Sequence, residues 1–276
     1  MRKNLYELLS ERVFDVKTEY STLWKLFCIE ECYHHSYSSY SIAKWIDKQY
    51  FRNLPFRGTY ASLPELLNGI GLHERSDVDL DKLLLFCELI CAMLPSLKSL
   101  DDGNVKRQVK VVSENIDYIL ERTNHEVIED PSGHYIVVEK NKSAALAAGL
   151  VGDETVAFEL IEYNHFGLKG DLEGKRKLLV SIASYIEPIL RDHTLQNKGY
   201  RQLESDAGFL FNNFHIRHNN KAGNTAKAYI SSISNDELEE WYDKAYEVAV
   251  SVIIINDYLS INQELSEIKT KYSWGS

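Results

Sequence analysis

The sequence predicts a mainly α protein, a helical bundle with one small β-hairpin inserted at about residues 125–140. Apolar residues recur three and four positions apart through most of the chain, as one buried face of a helix requires. Several such stretches begin with a Ser-x-x-acidic sequence, in which the serine satisfies an unpaired N–H group at a helix start. The exception is HEVIEDPSGHYIVVEK, where β-branched residues flank a turn sequence, Asp-Pro-Ser-Gly. This segment predicts the hairpin.

The helical spacing predicts the following elements in chain order: 4–15, 20–37, 40–51, 62–70, 77–97, 104–123, 143–150, 153–163, 172–192, 197–219 and 235–270. Capping sequences at Ser62, Ser76 and Ser234 mark three of the starts. Because two strands alone are marginally stable in water, we expect the hairpin to pack on helices.

A short polar link separates two helical regions of the chain. The sequence SLDDGN at 99–104 follows an apolar helix that Pro95 should end near Leu97. We therefore predict a helical N-terminal unit at 1–102 and a helical bundle with the hairpin at 103–276.

The charge balance and the lengths of the apolar stretches limit the partners. The chain has 31 Lys and Arg against 41 Asp and Glu, a formal charge of −10, so nucleic acid would have to be contacted locally. No apolar run reaches the roughly 18 residues of a membrane span, and the N-terminus lacks a signal-peptide core. These features predict a cytoplasmic protein that does not enter a membrane.

Four cysteines form two pairs, Cys28 with Cys32 and Cys87 with Cys91, each spaced by four residues on a predicted helix face. A zinc site is geometrically conceivable. Apolar neighbours such as Phe86 favour buried thiols instead. We therefore predict no metal and no cofactor.

A tyrosine-rich segment, YHHSYSSYS, places Tyr33, Tyr37 and Tyr40 near one face of a predicted helix. Such a face could stack on bases or contact a partner. Tyrosine at helical spacing is more often part of ordinary amphipathic packing.

The segment GFLFNNFHIRHNNKAGN, from 208 to 224, is the main candidate for chemistry. An apolar row leads into it, and continuing its three- and four-residue steps reaches Arg217 and His218. A guanidinium at the end of a buried row costs free energy unless it is paired. Arg217 should therefore face an acidic group, a subunit interface or an anionic ligand.

Two interpretations of this segment remain open. In the first, Arg217 makes a salt bridge within the chain and His218 lies at the helix C-terminus, where the dipole favours a cation. In the second, Arg217 holds a phosphodiester, and His218 or His215 transfers protons near neutral pH. RNA would then supply its own 2′-OH nucleophile. The substrate-binding candidates are Asn213, Asn219, Asn220 and Lys221.

At this segment the chain resembles the HEPN superfamily, in the form found in bacterial abortive-infection proteins. The resemblance covers about 104–270 and rests on NNFHIRHNN and on the long final helix. It implies a homodimer whose Arg and His motifs face one cleft, and metal-independent RNA cleavage in phage defence or toxin–antitoxin systems. In the family motif, four to six residues separate the Arg from a following His, and at those places this chain has Ala222, Gly223 and Asn224. His218 or His215 would have to replace it.

The sequence thus supports two functional hypotheses. One is defence-related, metal-independent RNA cleavage or RNA binding, with Arg217 on the phosphate and His218 in proton transfer. The alternative is a catalytically silent helical interaction or sensor protein that pairs with another subunit. The first needs Arg217 and His218 in a solvent-accessible cleft, whereas burial of Arg217 against an acidic residue of the same chain argues against it.

Overall fold

The structure, a computed structural model, describes residues 13–35, 38–74, 77–97, 101–221 and 227–273. In these ranges it contains twelve α-helices and two two-stranded sheets. The predicted mainly α fold with a β-hairpin is confirmed. Most of the helix predicted at 4–15 lies outside the described residues.

The chain divides into two compact units, and the division runs through the second hairpin. The first unit comprises residues up to Glu129 together with 133–137, and the second comprises 130–132 and 138–276.

The first unit contains five of the described helices. The bounds are α1 (Val16–Trp24), continued by a π-helix (Lys25–Ile29), β1 (Tyr33–His35), β2 (Ser38–Tyr40), α2 (Ile42–Gln49), α3 (Leu63–Gly69), α4 (Leu80–Met93), α5 (Gly103–Arg122) and β3 (His125–Glu129). Short polar side chains begin these helices, as the sequence indicates. Ser62 accepts a hydrogen bond from the N–H of Glu65, and Asp79 accepts one from Lys82. Because Asp79 is the cap, α4 begins at Leu80 and not at 77.

Helix α5 belongs to the first unit, which differs from the boundary predicted at 102/103. Its buried face, which includes Val112 and Ile116, packs with α1, α2 and α4. The side chain of Gln108 also donates to the carbonyl of Leu26 and to Glu30, at 3.0 and 3.1 Å. The polar link before α5 therefore does not separate the two units.

The tyrosine-rich segment forms a β-hairpin, so the helix predicted at 20–37 is wrong in its C-terminal part. Tyr33 in β1 pairs with Tyr40 in β2, and the Tyr33 ring contacts Trp45 at a centroid distance of 4.2 Å. Tyr37 lies outside the described residues. The described tyrosines of this segment pack against their own unit, as ordinary amphipathic packing requires.

The hairpin predicted at 125–140 consists of β3 and β4 (Tyr135–Glu139). At its turn, Asp130 accepts a hydrogen bond from the N–H of Ser132. Gly133 has a φ of 84°, a left-handed conformation that only glycine adopts without strain. In the first unit, the N–H of Val137 donates to Glu88. In the second, Val138 forms a bridge with His165.

The second unit is a helical bundle that packs around the last helix. The bounds are α6 (Lys142–Leu150), α7 (Glu154–Glu162), α8 (Leu172–Arg191), α9 (Thr194–Asn197), α10 (Arg201–Asn213), α11 (Ala228–Ser232) and α12 (Asn235–Ser273). Helix α12 packs against α6, α8 and α10. Its 39 residues span about 58 Å at the usual rise per residue.

None of the helices in the described ranges is both long and apolar enough to cross a membrane. The prediction that the chain does not span a membrane agrees with this finding.

Candidate functional site

The predicted site follows the end of α10, which is Asn213 and not the predicted 219. His215 adopts a left-handed backbone conformation with a φ of 59°, a common way for a helix to terminate. This bend allows both Phe214 and Ile216 to be buried in the core of the second unit. Arg217 and His218 therefore lie in a loop and not on the helix face that the three- and four-residue steps predict.

Arg217 is held inside its own chain. Its Nη2 donates to Glu187 Oε2 at 2.6 Å and to the carbonyl of Ala183 at 3.1 Å, both on α8. The side chain is 19% exposed. Glu187 also accepts a hydrogen bond from Arg191 at 2.8 Å. That bond and the charge of Arg217 hold the pKa of Glu187 below its ordinary value, so the carboxylate stays ionised beside Arg217.

His215 lies in an environment that disfavours its protonated form. Burial lowers the pKa of His215, and the charges of Arg176 and Lys221 lower it further, against the opposing charge of Glu173. Its Nδ1 is buried without a hydrogen-bond partner. The Nε of Arg176 donates to the His215 carbonyl at 2.6 Å. His215 is therefore a neutral, structurally confined histidine near pH 7.

Asn220, predicted to bind substrate, instead organises the loop. It is 1% exposed, and its side-chain oxygen accepts a hydrogen bond from the N–H of His215 at 2.8 Å. Its backbone N–H donates to His218, and its carbonyl accepts from Lys227, at 2.9 and 2.8 Å. The buried amide thus closes the loop around His218 and holds the chain on both sides of it.

The other predicted site residues lie at the end of α10 and in the loop that follows it. The side chains of His218, Asn219 and Lys221 are exposed. Asn213 is half-buried and donates to the carbonyl of Phe209 on its own helix. The positions of the family histidine, 222–224, lie outside the described residues.

A cleft of about 630 Å³ lies beside Arg217 in the second unit, at the start of α8. It is lined by Asp171, Glu173, Gly174, Arg176, Lys177, Val180, Ile216 and Arg217. Two carboxylates offset most of the charge of its three cations. Together with the pairing of Arg217 to Glu187, this makes the cleft a poor receptor for a phosphate chain.

Lys175 belongs to a buried polar network that the sequence does not reveal. Its ammonium lies 2.6 Å from Asp243 and 2.8 Å from Glu239, both on α12, and its side chain is 9% exposed. The hydroxyl of Tyr163 donates to Asp243, and the N–H of Gly170 donates to Glu239. Burial opposes ionisation of Glu239, but the bonds from Lys175 and Gly170 leave its pKa below the ordinary value. The network joins α8 to α12.

The cysteines do not form a metal site in the described part of the chain, where no group of three or more His, Cys, Asp or Glu side chains has metal-binding geometry. Burial raises the pKa of Cys28 and Cys91 to about 12 and that of Cys32 to about 11, and it also raises the pKa of Cys87. These thiols stay protonated near neutral pH. The prediction of buried thiols holds for Cys32 and Cys87, while Cys28 and Cys91 are half-buried.

The last part of α12 carries apolar side chains on its exposed surface. Every described side chain from 260 to 272 is exposed. Five apolar residues here are between 45% and 81% exposed, and we call them the distal row: Tyr258, Ile261, Leu265, Ile268 and Tyr272. Grouped apolar exposure on this scale is typical of a contact surface. The sequence analysis placed this stretch in the predicted helix at 235–270 without identifying the row.

Comparison with protein-family models, with curated proteins and with solved structures gives no match to this chain.

Proposed function

We propose that this chain is a catalytically silent helical protein that works by associating with other protein chains, the second of the two hypotheses. The distal row of α12 carries this proposal. An apolar row left in water costs free energy that packing against another chain recovers. The row lies on the last described part of a long helix, where every described side chain from 260 to 272 is exposed.

The state of Arg217 argues against the RNA-cleavage hypothesis. A phosphate ligand would have to displace both Glu187 and the Ala183 carbonyl from a guanidinium that is 19% exposed. A charge-assisted bond of 2.6 Å is among the stronger hydrogen bonds in proteins. The arrangement is that of an intramolecular salt bridge, the first interpretation of this segment.

The surroundings of Arg217 support the same conclusion. Asn220 is buried in the loop, and His215 is confined in its neutral form. The formal charge of −10 adds overall repulsion for RNA. Of the predicted site residues, Arg217, His215 and Asn220 are thus held by the chain itself, and His218, Asn219 and Lys221 are exposed.

The resemblance to the HEPN superfamily enters this proposal as a hypothesis about ancestry and setting. Under it, the chain is a non-catalytic relative of abortive-infection proteins, a sensor or assembly subunit in the cytoplasm. The residues at 222–224, in place of the family histidine, support a silent member.

An RNA-cleavage assay in EDTA tests the proposal. We expect no cleavage by the wild type, by His218→Ala or by Glu187→Gln, which weakens the hold on Arg217. The matched control is Arg191→Ala, which removes the other arginine bound to Glu187. Cleavage by the wild type and by Arg191→Ala that is lost in folded Arg217→Ala would overturn the proposal.

A further inference from the structure

The distal row follows a seven-residue repeat. Its members are separated by three, four, three and four positions, the a and d spacing of a coiled coil. Tyr258, Leu265 and Tyr272 occupy a, and Ile261 and Ile268 occupy d. Ile254 continues the pattern at the preceding d position, where it packs partly against the core of the second unit. The repeat thus begins at the bundle and continues along the exposed end of α12.

The seven-residue repeat indicates that the partner covering the distal row is itself a helix. A repeat of 3.5 residues keeps an apolar seam facing a partner only when that partner is a helix with the same period. The side chains from 260 to 272 are all exposed, so the described part of the second unit supplies no such helix along this stretch.

The charges that flank the row select copies of the same helix. In a parallel coiled coil, the g position of one helix lies beside the e position five residues later on its neighbour. Glu264 occupies g and Lys269 occupies e, so two aligned copies of α12 place opposite charges side by side. The same alignment places each apolar residue of the distal row beside the identical residue of the neighbouring helix.

We propose that the distal row is a self-association surface on which further copies of this chain pack as a parallel coiled coil. The inference rests on the proposed function and names the partner in it. Leu265 at a, between Ile261 and Ile268 at d, is the combination that favours three or four helices over two, while the other two a positions are tyrosines. The Leu265 layer therefore favours an assembly larger than the homodimer that the family resemblance implies.

Sedimentation velocity on the full chain, from micromolar to submillimolar concentrations, tests the surface. The wild type should form an assembly of several chains. Leu265→Lys places a charge in the apolar seam and should lower the association constant about tenfold or more. Gln263→Lys adds the same charge at the outward f position and should leave the assembly unchanged. Both positions are exposed, so the fold of the second unit is not at risk.

A charge exchange tests the parallel alignment. Glu264→Lys alone places lysines opposite each other and should weaken the assembly, and Lys269→Glu should do the same with carboxylates. The double variant Glu264→Lys with Lys269→Glu restores opposite charges across the seam and should recover the wild-type mass. Failure of this recovery would overturn the parallel alignment.

The mass and the RNA assay distinguish the two proposals. The proposed self-association surface is overturned if the wild type sediments as a single chain at every concentration. It is also overturned if the Leu265→Lys variant assembles as the wild type does. If that chain also leaves RNA uncut, the proposed function stands with a different partner. RNA cleavage that depends on Arg217 overturns the proposed function whatever the mass.

Discussion

Replacing Arg217 by alanine should lower the stability of the folded chain, because the guanidinium is part of the packing between the loop and α8. The substitution removes the bonds to Glu187 and to the Ala183 carbonyl. A hydrogen bond made by a charged group contributes roughly 1.5–3 kcal/mol. Because Arg217 retains some exposure, solvent offsets part of this, and we expect a loss of about 2 kcal/mol.

Urea denaturation followed by circular dichroism measures this loss. A loss of about 2 kcal/mol in the free energy of unfolding raises the unfolding equilibrium constant roughly thirtyfold. For a unit of this size it should lower Tm by about 6 °C. Arg191→Ala is the control, because Arg191 binds the same carboxylate but is 74% exposed. It should give no measurable change.

The opposite result would refute the structural role of Arg217. If Arg217→Ala matches the wild type in stability, its bonds to α8 contribute nothing, and the residue is available for a ligand. Loss of RNA cleavage in such a stable variant would point to the catalytic hypothesis, since functional residues are often retained at no benefit to stability.

Three further predictions concern His215 and Lys175. His215→Gly should raise the free energy of unfolding by about 1 kcal/mol in urea denaturation, because it relieves a left-handed conformation and removes an unpartnered Nδ1; a loss of stability would contradict this. The folded chain lowers the pKa of His215, so the unfolded chain binds a proton at this residue more readily. The free energy of unfolding should therefore fall as the pH drops below about 6.5. Denaturation at several pH values checks this, and His215→Gly should make the fall smaller. Lys175→Met should cost about 2 kcal/mol in thermal and urea denaturation, because it leaves the mostly buried Glu239 without its cation, while solvent screens the half-exposed Asp243. The exposed Lys177→Met should cost little, and similar losses for both variants would count against the network.

The sequence predicts most elements of this fold because their determinants are local. Helix α8 was predicted at 172–192 and observed at Leu172–Arg191, since its cap and its apolar face both lie within the segment. The hairpin around Gly133 is predicted by the β-branched residues that flank a turn sequence, and in the structure this glycine adopts a left-handed conformation. Where the local sequence and the tertiary environment favour the same structure, the periodicity of apolar residues is sufficient to predict an element.

The candidate site was harder to predict because its determinants are tertiary. A left-handed histidine at 215 carries no sequence mark comparable to glycine, so the apolar steps of α10 seemed to continue to Arg217. The pairing of Arg217 with Glu187 joins residues thirty positions apart. Lys175 stands beside Arg176 and Lys177 in the sequence, and only its pairing with the carboxylates on α12 explains its burial. The sequence predicted that Arg217 needs a partner without identifying which one.

The exposed last part of α12 stays helical because it continues a long helix. Isolated helices shorter than about 12–15 residues are marginal in water, and the exposed stretch from 260 to 272 is of that size. Its backbone hydrogen bonds therefore depend on the earlier turns, which Leu238, Ala245 and Val252 anchor in the core. In the chain before it associates, amide hydrogen exchange should be slow along those turns and faster towards Tyr272. The packed part of α12 thus keeps the exposed part helical. A substitution that weakens the core should therefore first unfold the turns that carry the distal row.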